Sequence, residues 1–135
     1  MKSLRLLGML ALIGLSFASC KKEVVEPIDD YKVYTGLISQ TNENAPTVQL
    51  IKNTIGNIQW SYSIDGEYIG TLENGFPYGK TFVYIESGNV TGGGGYFISI
   101  KRIDQSHIAV YSSYSDFLGA NNAITNRSIE IRVYE

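Results

Sequence analysis

A chain of 135 residues with 11 basic and 13 acidic side chains and one Cys is a single domain by size. It lacks the clustered positive surface that nucleic-acid binding needs. One Cys allows neither an intramolecular disulfide nor a multi-cysteine metal site. Ten Tyr, one Trp and all but one of five Phe follow Cys20, a composition suited to pleated, half-buried strands.

Met1 to Arg5 carries Lys2 and Arg5, and Leu6 to Ala18 is an uncharged apolar run of 13 residues. That length suits the apolar stretch of an export signal, whereas a membrane-spanning helix needs about 20 apolar residues. The run closes on Phe17-Ala18-Ser19-Cys20. This segment resembles the lipobox of bacterial lipoproteins, in which small residues precede a cysteine that receives diacylglycerol before the signal is removed. Ala18 and Ser19 match the small positions, and Phe17 stands where an aliphatic residue is usual.

The resemblance implies a cleaved signal peptide over residues 1–19 and lipid attachment at Cys20, with the membrane as partner. It also implies an outer-membrane address, because Lys21 stands where an Asp favours inner-membrane retention. Ser16-Phe17-Ala18 has the spacing of ordinary cleavage too, which would leave Cys20 as a free thiol. Its place between apolar run and charged tether favours the lipoprotein reading. Each buried methylene contributes about 0.8 kcal/mol, so two or more acyl chains hold a protein on a bilayer where one does not. From Lys21 to Asp30, six of ten residues are charged and Pro27 is among them, so residues 20–30 read as a solvated tether. Its Lys-then-acidic character resembles the surface-export signals of some lipoproteins.

From Tyr31 to Glu135 the apolar pattern has period two. Strands are expected over Lys32 to Ser39, Thr47 to Lys52, Ile58 to Ile64, Glu67 to Leu72, Thr81 to Glu86, Tyr96 to Ile103, His107 to Tyr111 and Ser128 to Tyr134. Asp65-Gly66 between two alternating runs predicts a two-residue type I′ hairpin, with Tyr62 opposite Ile69 and Trp60 opposite Thr71. In the last strand Ile129, Ile131 and Val133 should face inward. Ser115 to Asn122 has room for one helical turn. Seven or eight short strands at this spacing predict a single all-β domain over residues 31–135, an antiparallel sandwich or a small β-barrel.

Several motifs dissolve on inspection. Gly75 to Thr81 (GFPYGKT) is one residue short of a phosphate loop, and Thr81 enters a β-pattern where such a loop must open a helix. Gly92 to Gly95 lacks the spacing of a dinucleotide fingerprint and reads as a hairpin tip. His107 is the sole histidine, with Asp104 and Asp116 nearby in sequence and no nucleophile placed by a motif. Asp65 and Glu67 flank a turn tip, so no acid/base pair and no calcium loop is expected. The sequence thus predicts a non-enzymatic protein without cofactor or metal.

The aromatic excess has functional pull, since Tyr and Trp present an apolar face and a polar tip. The loop aromatics Phe76, Tyr78, Tyr114 and Phe117 are the expected ligand contacts. Two functions follow. One is a lipid-anchored binding or assembly module engaging a protein or glycan partner. The other is a small barrel that carries an apolar ligand, which requires a cavity of some hundreds of Å³.

Overall fold

The computed structural model describes residues 30–87, 95–114, 116 and 118–135. The expected export signal, Cys20 and most of the expected tether lie outside the described residues, as do Gly92 to Gly94 and Phe117. Eight strands follow in order: β1 (Tyr31–Ser39), β2 (Thr47–Asn53), β3 (Gln59–Ile64), β4 (Glu67–Thr71), β5 (Thr81–Ile85), β6 (Tyr96–Arg102), β7 (His107–Tyr114) and β8 (Arg127–Tyr134). They form two four-stranded antiparallel sheets, ordered β2-β1-β8-β5 and β3-β4-β7-β6. The sheets pack as a sandwich. β5 and β6 run beside each other at one corner without joining one ladder, which decides between the two expected architectures.

The strands form where alternation dictates, and where a strand has a buried phase it faces the partner sheet; β2 and β3 contain no fully buried residue. Ile129 and Ile131 of β8 are buried, as are Tyr34 and Ile38 of β1, Ile85 of β5, Tyr68 of β4, Ile98 of β6, and Ile108 and Val110 of β7. Val133 packs on the rim of this cluster. Fully burying each such side chain contributes about 1.5–3 kcal/mol. Trp60 and Tyr62 pack against the core from β3, and the Trp60 indole N–H donates to the Tyr34 hydroxyl at 3.3 Å.

The β3–β4 hairpin departs from the expected register. The pairing shifts between Tyr62 and Ile64, so Tyr62 lies opposite Tyr68 and Trp60 opposite Gly70. Only Gly66 of the turn pair takes a left-handed φ, at 74°. A type I′ turn needs positive φ at both central positions, whereas one left-handed Gly beside a register shift marks a bulged hairpin. One residue of slip exchanges the faces. Tyr68 thereby enters the core in place of Ile69, with its ring 6.2 Å from that of Tyr62.

The segment expected to hold a helical turn contains no helix among its described residues. Ser113 instead pairs with Gly119, and the chain returns across the sandwich end to β8. Polar groups hold it there. The Tyr68 hydroxyl lies 2.9 Å from Gln40 Oε1 and 3.0 Å from Asn121 Oδ1. Asn122 N–H donates to Gln40 Oε1 at 2.9 Å, and Ser112 Oγ donates to the Ala120 carbonyl at 2.6 Å. Gly119 is obligatory because a Cβ would sit 2.0 Å from the Asp65 carbonyl oxygen. Both domain termini lie at the opposite end, where Glu135 N–H donates to the Asp30 carbonyl at 3.2 Å.

Candidate functional site

Alternation in β8 sends Glu130, Arg132 and Tyr134 to the outer face of the first sheet, away from the buried Ile129 and Ile131. The neighbouring strands add side chains in register. Phe82 lies opposite Arg132 and Tyr84 opposite Glu130 on β5, while Tyr31 lies opposite Tyr134 on β1. The rings form a connected set. Tyr31 and Tyr134 have centroids 5.2 Å apart, and Phe82 meets Tyr134 edge-on at 5.4 Å. Phe82 and Tyr84 are 61% and 59% exposed, well beyond what strand packing requires of aromatics.

Arg132 anchors the middle of this face. Its guanidinium lies 5.0 Å from the Tyr31 ring centroid, a cation–π distance, and its Nε donates to Glu130 Oε1. Hydrogen bonds to Tyr134 and Glu130 raise its pKa further above the usual range. The charges of Glu130 and Arg132 thus cancel locally, and the pair offers fixed donors and acceptors. Phe82, Tyr84, Glu130, Arg132 and Tyr134 line an open groove of about 460 Å³. A second open groove, of about 600 Å³, adjoins it at the terminal end and shares Tyr134, with Tyr78, Lys32, Lys80, Glu73 and Glu135 among its walls.

The residues expected to make contacts are dispersed. Phe76 is a correction: it is fully buried, because its loop folds over the open end of the sandwich. There Phe76 N–H donates to the Gln105 carbonyl at 2.9 Å, and Arg102 Nε donates to the Phe76 carbonyl at 2.5 Å. Tyr78 is 89% exposed, with the Arg102 guanidinium 5.5 Å from its ring centroid, and belongs to the second groove. Tyr114 sits at the opposite end of the sandwich, 5.1 Å from Tyr96. Phe117 and Cys20 lie outside the described residues. The outer-face residues Phe82, Tyr84, Tyr31 and Tyr134 lie on strands and were not among the expected contacts, which were all loop aromatics.

Two carboxylates elsewhere have structural partners. Asp104 meets His107 Nδ1 at 2.8 Å in the exposed β6–β7 turn and accepts from Ser106 N–H at 2.7 Å. The Ser106 amide, then His107, hold its pKa below the usual carboxylate value. Asp65 accepts from the Tyr62 hydroxyl and from Asn121 Nδ2, each at 2.7 Å, and these two bonds lower its pKa in that order. A carboxylate with a depressed folded-state pKa stabilises the fold above its unfolded value of about 3.9, and that contribution is lost as pH falls through the folded value. Asp65→Asn should therefore be less stable than wild type at neutral pH. The gap should close on acidification below the ordinary carboxylate range, as read from urea midpoints across pH. A gap that persisted unchanged into strong acid would assign the effect to amide geometry instead of charge. Thr81, the last residue of the phosphate-loop look-alike, begins β5, and its hydroxyl donates to the Pro77 carbonyl at 2.9 Å. Among the described residues, no three His, Cys, Asp or Glu side chains gather as a metal-ligating set.

No protein-family model, curated protein or solved structure matches the chain.

Proposed function

We propose that this chain is exported, lipidated at Cys20, and held at the outer membrane as a non-enzymatic binding module. Its contact surface is the outer face formed by β1, β8 and β5. The observation that carries the reading is the pair Phe82 and Tyr84, both more than half exposed beside the mutually neutralised Glu130 and Arg132. Contiguous exposed aromatics on a rigid scaffold mark interaction surfaces, and Tyr and Arg are enriched at binding hot spots. The core filled by Tyr34, Tyr68 and Phe76 favours this over the carriage of an apolar ligand between the sheets. The Arg132 guanidinium, charged at any physiological pH, suits recognition better than proton transfer. The export signal and the charged tether ending beside Tyr31 support the anchored placement.

Protease shaving of intact cells, with a Cys20→Ala version and a periplasmic control protein, tests the placement. The wild-type chain should fractionate with membranes and the Cys20→Ala chain should not. If both partition alike, the lipid anchor falls. Loss of the wild-type domain to protease while the control survives would place it on the cell surface, and protection would place it on the periplasmic side.

A further inference from the structure

The outer-face groove and the terminal groove meet at Tyr134, which lines both. The terminal groove takes Lys32 and Val133 from the inward phase of β1 and β8 and so lies across the sandwich end. A ligand of the outer face is held by the outer-face groove alone, which is already as large as a small-molecule site. Charge narrows its chemistry. Arg132 is balanced by Glu130 within the outer-face groove, and in the adjoining groove Lys32 and Lys80 are matched by Glu73 and Glu135, with Lys32 3.3 Å from Glu135. Such a groove has no net potential with which to draw a polyanion or an anionic membrane.

The β5–β8 and β1–β8 ladders already use the backbone groups beneath the outer-face groove, and the outer edge of β5, the last strand of its sheet, has β6 running beside it. An extended peptide would gain affinity mainly by adding main-chain bonds to a free strand edge. This face offers side chains alone: ring faces from Phe82, Tyr84 and Tyr134, tyrosine hydroxyls, and a fixed carboxylate–guanidinium pair. Electron-rich ring faces attract polarised C–H groups, and the surrounding donors and acceptors match a ligand dense in hydroxyls.

We propose that the outer-face groove binds an uncharged oligosaccharide, with Phe82 and Tyr84 as the stacking platform and Glu130 and Arg132 bonding hydroxyls. The inference rests on the reading of this face as the contact surface. It goes further by naming the ligand class.

Affinity electrophoresis of the full chain in mild detergent tests it. The gels would contain an α-glucan, a β-glucan, a mannan, a xylan or a galactan, with heparin, polygalacturonate and phosphatidylserine-containing vesicles as charged controls. At least one neutral polysaccharide should retard the chain. Phe82→Thr with Tyr84→Thr should weaken that binding by about tenfold or more, the size expected when aromatic contacts at the centre of an interface are removed. Both side chains are exposed, so circular dichroism should show the double variant folded. Raising salt from about 0.05 to 0.5 M should leave the affinity within about twofold, since screening acts on charge pairs and not on stacked rings.

Binding to heparin, polygalacturonate or vesicles alone, or no binding at all, would overturn the ligand class. A photo-crosslinker at residue 82 in cells separates the two levels of failure. Capture of a discrete envelope protein with a silent polysaccharide panel would remove the sugar and leave the contact face. No capture and a silent panel would remove both.

Discussion

Ile131→Asp is expected to lower the stability of the domain by roughly 3 kcal/mol or more, because it places an unpaired charge in an apolar interior. Ile131 is fully buried at the centre of β8, with Tyr34 of β1 on one side and Val83 of β5 on the other. Outward rotation is closed to it, since slipping β8 by one residue would bury Glu130 and Arg132 in exchange. A domain of this size commonly has only about 5–15 kcal/mol in total, so the variant should unfold at a far lower urea concentration or fail to fold. Ser128→Thr, on the exposed phase of the same strand, should stay within about 0.5 kcal/mol. Equal midpoints for Ile131→Asp and wild type would refute the inward face of β8.

The second large effect belongs to Gly66. A Cβ there would lie 2.0 Å from the Ser112 carbonyl oxygen and 2.8 Å from Ala120 N, at a φ of 74°. Ser112 is itself bound at both ends, donating its N–H to the Gly66 carbonyl at 2.8 Å and accepting from Ala120 N–H at 3.0 Å. Neither side can withdraw without breaking a backbone bond. Gly66→Ala should therefore destabilise by about 3 kcal/mol, combining left-handed strain with overpacking. Gly79 supplies the comparison, for its φ is 72° and its Cβ would meet nothing within 4 Å. Gly79→Ala should cost only the conformational part, about 1 kcal/mol. If the two substitutions shifted the denaturation midpoint equally, the close approach at Gly66 would not be the cause.

The strands were legible because alternation and turn residues coincide along most of the domain. The faces were legible only where one phase is polar. In β8, Ser128, Glu130 and Arg132 declare the outside. In β5, Thr81-Phe82-Val83-Tyr84-Ile85 is apolar or aromatic in both phases, and periodicity has nothing with which to choose. Cross-strand pairing chooses instead: Val83 and Ile85 lie opposite the buried Ile131 and Ile129, which turns Phe82 and Tyr84 outward. Those partners are 44 and 48 residues away in sequence, so no local window contains the information. Phe76 failed for a related reason. Asn74-Gly75 and Pro77 mark a turn correctly, but turn residues do not reveal that the ring between them plugs the end of the sandwich. The hairpin register erred by one residue because Asp-Gly serves both a tight turn and a bulged one, and the position of Gly119 against Asp65 belongs to tertiary packing.

The pinned termini determine how the molecule carries a mechanical load. If the chain is anchored through residues 20–30 and holds its ligand as proposed, tension along β1 enters at Tyr31, and a ligand on β5 and β8 pulls back through the strands paired beside it. Backbone bonds in an antiparallel ladder run perpendicular to the strands, so this tension meets them side-on, in shear. The eight registered pairs from Tyr31–Tyr134 to Ile38–Arg127 then yield together and do not unzip one at a time. An anchored chain pulled against such a ligand would then be loaded along the strong direction of the domain.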